Sequence, residues 1–213
     1  MTINLSKLEK LALVLVMLLA ALGAGLYLAR SSTAEAPAAP SGNGFGGDFT
    51  LQSPAGPVSL HDFKGQVVLL LFGYSSCPDV CPTGLANVAA ALDQLDEAQR
   101  AQVQPLFITV DPERDTVQRL AEYAPYFHPK IIGLTGTVEQ LNRVALSFGA
   151  FFRKVELPDS ALGYAVDHTA RIYLLDGQGT LRALLEHNTP PPVLAIAMGE
   201  LIRETTGAAN AGQ

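Results

Sequence analysis

Cys77 and Cys81 lie four positions apart in LLLFGYSSCPDVCPTGLANV, the stretch from Leu69 to Val88, and each is followed by a proline; the chain has no other thiol. At this spacing two side chains in or near the first turn of a helix point the same way, with Cβ atoms about 5–6 Å apart, so both sulfurs face one point. A helix N-terminus adds unsatisfied N–H groups and the positive end of the dipole, which favour thiolate over thiol. Thiolates serve either a metal ion or thiol–disulfide exchange. Two cysteines are too few for a disulfide framework. The kinked, polar surroundings of Pro78, Asp79 and Pro82 argue against two thiols that merely fill apolar space. The spacing leaves metal and redox chemistry both open, because the bite suits one ion yet still permits a disulfide at Cα separations of about 4.4–6.8 Å.

These cysteines need a scaffold, and the apolar pattern supplies one. The run QVVLLLFGY, residues 66–74, reads as a central strand covered on both faces, so the cysteines follow a strand's C-terminal end. Leu85, Val88, Ala89, Leu92 and Leu95 recur at helical spacing and predict a helix over 79–99. VQPLFITV, 103–110, predicts a second buried strand. DPERDT then reads as acidic capping residues for a helix over about 115–126, a better account of Asp111, Glu113 and Asp115 than paired catalytic carboxylates. IIGLTG, 131–136, predicts a third strand, and Thr137 caps a helix over 137–149. Two short strands within 49–60 precede this βαβαβα run. FFRKVEL, a polar stretch over 158–163, a hairpin turning at DGQG and a closing helix follow it. The order predicts an α/β fold with a mixed sheet flanked by helices, and sites in such sheets lie beyond the strands' C-terminal ends.

A third ligand would decide between metal and redox. Of the four histidines, His61 reads as a turn residue, His128 as a helix end and His187 as a loop residue. His168, in DHTARIYLLDG, is read at the start of a strand directly after the polar insertion. In a thioredoxin-like sheet the segment leading into that strand crosses beside the cysteine helix. Two thiolates and an imidazole form a soft S₂N set that prefers copper, and Cu(I) accepts three ligands. Zinc would require a fourth donor. Asp79 or Asp167 could supply it, but Asp79 reads as a helix-start residue and Asp167 as the partner that orients His168.

A formal charge of −6 with scattered basic residues excludes a nucleic-acid footprint. Leu11–Ala29 is an uncharged apolar run that would span roughly 28 Å as a helix, which predicts a transmembrane anchor; it is longer than the apolar region of a cleaved signal peptide. Lys7 and Lys10 before it predict a cytoplasmic N-terminus and an exported body. The expected organisation is a cytoplasmic segment (1–10), an anchor (11–29), a flexible Ala/Pro/Gly/Ser linker (30–47), a folded domain (48–207) and a short tail (208–213).

GYSSCPDVCPTGLANV, PLFITVDPERDT, YFHPKIIGLTGT and DHTARIYLLDGQG together closely resemble the Sco/SenC family of copper proteins, over about residues 49–199. The resemblance implies a thioredoxin-like fold that binds copper, Cu(I) and also Cu(II), through Cys77, Cys81 and His168. It implies a role in assembling the dinuclear copper centre of cytochrome c oxidase, on the periplasmic face of the inner membrane. The partners implied are the oxidase's copper-bearing subunit, a periplasmic copper donor and a thioredoxin-like reductant. Some members are thiol reductases, so the alternative expectation is an oxidoreductase in which Cys77 and Cys81 form the redox-active dithiol. Ser75 and Ser76 depart from the residues common in relatives without touching the ligands. A peroxiredoxin-like peroxidase is disfavoured, since Tyr74 stands where its threonine belongs and the second cysteine is too near.

Overall fold

The computed structural model describes residues 46–211, together with Leu15 and Met17. The chain divides into two units, Met1–Ala36 and Pro37–Gln213. In the first, Leu15 and Met17 are helical and exposed; the predicted anchor over 11–29 otherwise lies outside the described residues, as do the predicted segment 1–10 and the linker up to residue 45. Among the described residues no helix is long and apolar enough to cross a membrane.

Thr50–Ser53 (β1) and Gly56–Ser59 (β2) pair as an antiparallel hairpin, and a 3-10 turn over Leu60–Phe63 sets His61 beside it. Val67–Gly73 (β3) is the central strand of a five-stranded sheet. It pairs in parallel with Val103–Thr109 (β4) and antiparallel with Arg171–Leu175 (β8), while Ile132–Leu134 (β5) and Leu181–Glu186 (β9) form the edges. Parallel neighbours need a crossover connection, here a helix. Val80–Leu92 (α1) and Glu97–Ala101 (α2) link β3 to β4, and Val117–Phe127 (α3) links β4 to β5. Val138–Ser147 (α4) follows β5, capped by Thr137 in a reciprocal box with Gln140. Phe152–Glu156 (β6) and Tyr164–His168 (β7) form a separate two-stranded antiparallel sheet. β8 and β9 turn through Gly179, whose φ of +77° favours glycine. Pro191–Ala211 (α5) then packs back on the sheet. This is the expected thioredoxin-like α/β fold, a mixed sheet flanked by helices.

Strand alternation explains why β3 is apolar without interruption. Val67, Leu69 and Leu71 face one core with α1, α3 and α5; Val68, Leu70 and Phe72 face the other with α4, β1 and Val166 of β7. Each such buried aliphatic side chain contributes about 1.5–3 kcal/mol relative to exposure.

Two expectations about elements require correction. The helix expected over 79–99 is two helices, because Asp96 opens a new one: its carboxylate accepts from the Gln99 N–H while Gln99 Oε1 accepts from the Asp96 N–H. The acids of DPERDT do not cap α3. Thr116 does, accepting from the Arg119 N–H, and this frees Asp111 and Asp115 for buried roles.

Candidate metal centre

The cysteine loop leaves the buried end of β3. Cys77 N–H donates to the Tyr74 carbonyl (3.1 Å), closing a turn, and α1 begins three residues later, so Cys77 lies before the helix and Cys81 in its first turn. Asp79 is at the N-cap position as expected, yet its carboxylate makes no capping bond and is exposed. Gly73 determines how closely the helix meets the strand: a Cβ there would stand 2.6 Å from Cys81 Sγ and 2.8 Å from the Phe107 ring. Beneath the loop, fully buried Asp115 accepts from the Ser75 N–H (2.9 Å), the Ser75 hydroxyl and the Thr109 hydroxyl (2.7 Å). Three such bonds satisfy a buried carboxylate and tie the loop to β4.

His168 reaches the same point from the opposite side. It does not open β8, as expected, but closes β7, because its backbone pairs with Phe152 across the separate hairpin. Along β7, Tyr164, Val166 and His168 share one face, and Ala165 and Asp167 the other. That alternation also overturns the expected role of Asp167, whose carboxylate pairs with Arg153 on the exposed side (3.1 Å). The orienting partner is instead the Val166 carbonyl, 3.0 Å from His168 Nδ1. A carbonyl only accepts, so Nδ1 carries the hydrogen and the Nε2 lone pair is left facing Cys81 Sγ at 3.3 Å. The Tyr74 ring packs edge-to-face on the imidazole, centroids 5.5 Å apart.

Cys77 Sγ, Cys81 Sγ and a His168 ring nitrogen all lie within 4.8 Å of one another, and both cysteines are buried. The two thiols are unequal. Cys77 is lowered to about 5, chiefly by the hydrogen bond from Cys81 and also by backbone N–H groups of Asp79 and Cys81, against the opposing effect of burial. Cys81 is pushed far up by that same hydrogen bond and by burial. The metal-free pair is therefore a Cys77 thiolate beside a Cys81 thiol that donates to it. Three soft donors converge there on a space that a cation fits. His187 lines the same narrow cleft but stands outside the ligand group, and His61 and His128 lie elsewhere. Gly73, Tyr74, Asp111 and Asp115 are the supporting residues that pattern reading missed. The continuous run LLLFGY hides the glycine's close approach, and DPERDT matches a capping signature that Thr116 alone fulfils.

The fold and site define a class: a thioredoxin-like domain with two thiols and an imidazole converging at the end of its central strand. The family profile described as SCO1/SenC matches residues 37–203, and the chain belongs to that family. The mitochondrial SCO1 homolog 1 of Arabidopsis thaliana is 45% identical over 131 residues, 61% of this chain and 39% of the relative, so this chain matches well under half of that relative's length. The crystal structure of Arabidopsis thaliana ScoI with copper bound is similar at TM-score 0.69 and 39% identity, covering 75% of this chain and 99% of that one. BsSco, whose structure is described as containing a disulfide switch and which belongs to the Sco family of cytochrome c oxidase assembly proteins, is similar at TM-score 0.60 and 27% identity, covering 76% and 95%.

Proposed function

We propose that this protein is a membrane-anchored copper carrier that holds its cargo through Cys77, Cys81 and His168 and assists assembly of the dinuclear copper centre of cytochrome c oxidase. The observation that carries this reading is the convergence of two sulfurs and one imidazole nitrogen within 4.8 Å of one another. Copper binding releases the thiol proton of Cys81, and both sulfurs then ligate as thiolates. Cu(I) accepts such a trigonal S₂N set, whereas zinc would seek a fourth donor, and neither Asp79 nor Asp167 points its carboxylate into the site. The copper-bound Arabidopsis relative supports the choice of metal.

In this reading residues 11–29 cross the inner membrane once, 1–10 remain cytoplasmic, and the linker 30–47 lets the domain 48–207, with its tail 208–213, work on the periplasmic side. There it receives copper from a donor and passes it to the oxidase's copper-bearing subunit. A thioredoxin-like reductant keeps the dithiol open, because a Cys77–Cys81 disulfide would leave His168 as a lone ligand.

The inequality of the thiols favours a second activity at the same site, reduction of the oxidase subunit's copper-ligand cysteines. The Cys77 thiolate attacks the partner's disulfide and forms a mixed disulfide, releasing one partner thiolate. Cys81, passing its proton to the partner thiolate just released, then displaces the second, leaving a Cys77–Cys81 disulfide and a reduced partner; two electrons and one proton from the reductant restore the thiolate–thiol pair. His168→Ala separates the two readings. The carrier loses oxidase assembly in cells at limiting copper while thiol exchange persists. Assembly fully restored by this variant would replace the carrier with the reductase.

A further inference from the structure

The two halves of the site, the cysteine loop and the β6–β7 hairpin, are joined through one short segment, Asp111–Asp115, between β4 and α3. On one side Asp115 accepts from Ser75 N–H and Oγ, two residues before Cys77. On the other, Asp111 and Arg114 grip Tyr164, the residue on β7 that shares a face with His168. Tyr164 Oη donates to Asp111 Oδ1 at 2.8 Å, Arg114 donates to the Tyr164 carbonyl at 3.0 Å, and the Arg114–Asp111 ion pair closes the triangle at 2.6 Å. Asp111 is 2% exposed, so this pair is sheltered from water and is not an ordinary surface contact.

The arginine does more than hold the hairpin's far end. Its guanidinium stacks 3.5 Å from the centroid of the Tyr164 ring and lies 6.0 Å from that of Tyr74, and Tyr74 in turn packs edge-to-face on the His168 imidazole. A continuous path of contacts therefore runs Tyr164–Arg114–Tyr74–His168, while Cys77 N–H hangs from the Tyr74 carbonyl. A planar, always charged guanidinium is suited to stacking and bidentate pairing together, which an ammonium is not. Among the described residues the hairpin pairs with no strand of the main sheet, so its position rests on Val166, Phe152 and Tyr164 packed on the core, on the exposed Lys154–Glu113 pair and on this latch.

We infer that Arg114 is a positioning residue: held by Asp111, it sets the separation between His168 and the cysteine sulfurs by fixing the Tyr74 and Tyr164 rings. The role rests on the proposed copper site but is testable without the metal. The full-length, reduced chain carrying ¹³C-labelled histidine has four ring signals, and that of His168 is shifted by the Tyr74 ring it abuts. In metal-free Arg114→Ala this ring shift is lost while the other three signals stay in place; Tyr164→Phe, which keeps the stack and loses one hydrogen bond, shows a partial shift. Arg114→Lys, lacking the planar fork, does not restore it. Glu204→Gln, which breaks an exposed pair with Arg182 away from the hairpin, leaves it unchanged. With Cu(I), Arg114→Ala binds about 10–100-fold more weakly, and X-ray absorption counts two sulfur donors without the nitrogen. An unaltered His168 signal in folded Arg114→Ala would overturn the inference whatever copper does. A lost signal in a chain whose wild type binds no copper would uphold the latch and sink the carrier reading instead.

Discussion

The cysteine loop and the β6–β7 hairpin deliver two thiols and an imidazole to one point by opposite means. Cys77 and Cys81 sit at the end of a strand buried on both faces and at the start of a helix whose Leu85, Val88 and Leu92 are fully buried. β6 exposes most of its residues and, among the described residues, pairs with β7 alone, and β7 brings His168 in on the face it shares with Tyr164 and Val166. Elements embedded in a core are placed by many small packing terms, whereas an outlying hairpin is placed by a few polar contacts and rings. Thiol geometry is thus held as rigidly as the fold, and the imidazole can be displaced without unfolding it. For a carrier this division has a use: metal held by three donors is retained, and withdrawal of one donor opens the site for transfer.

The sharpest break in the comparison comes from the rigid half. Cys77→Ser or Cys81→Ser leaves the thermal midpoint within a few degrees but lowers Cu(I) affinity by more than about 100-fold, since a hydroxyl is a hard, protonated substitute. A competition titration against a chromophoric Cu(I) chelator reads this, and unchanged affinity in both variants would remove the site. Next in size is Gly73→Ala, which drives a methyl into Cys81 Sγ and the Phe107 ring, neither of which is a flexible chain end. It is expected to cost about 1–3 kcal/mol in denaturant unfolding and to weaken copper binding as well, coupling stability to the site as no hairpin substitution does.

The third test concerns protons. Cys77 has a folded value of about 5, below that of an unfolded thiol, so its ionisation favours the folded state; that contribution is complete at alkaline pH and is lost as pH falls through about 5. Alkylation of the metal-free, reduced protein should therefore fall on Cys77 and keep a midpoint near pH 5, with Cys81 protected by its retained proton. Equal labelling of both thiols would contradict the asymmetry. The smallest effect belongs to the outer face of the hairpin. Arg153→Ala breaks the exposed pair with Asp167 and is expected to change stability by less than about 1 kcal/mol and copper affinity by less than twofold. A larger change in affinity would mean that Asp167 orients His168 after all.

What the chain settled by itself is what repeats locally. Apolar runs and helical spacing identify β3, β4, α1 and α4, because side-chain period follows directly from backbone geometry. The CPDVC spacing points to two sulfurs at one place, although the helical turn expected to align them does not reach Cys77, which lies before α1 in a turn closed on the Tyr74 carbonyl. The place of His168 before a predicted strand and the softness of an S₂N donor set point to copper, and the family motifs agree with both. Only the tertiary structure decided the rest, since each outcome depends on residues far apart in sequence. His168 faces Cys81 across 87 positions, and its tautomer is set by a carbonyl of its own strand, which no side-chain pattern reveals. Asp115 looks like a cap but is spent on Ser75, 40 positions away, and Asp111 on Tyr164, 53 positions away. A carboxylate beside a helix start matches a capping pattern wherever it points; whether it caps or goes to ground in the core is settled by the partners the fold sets around it.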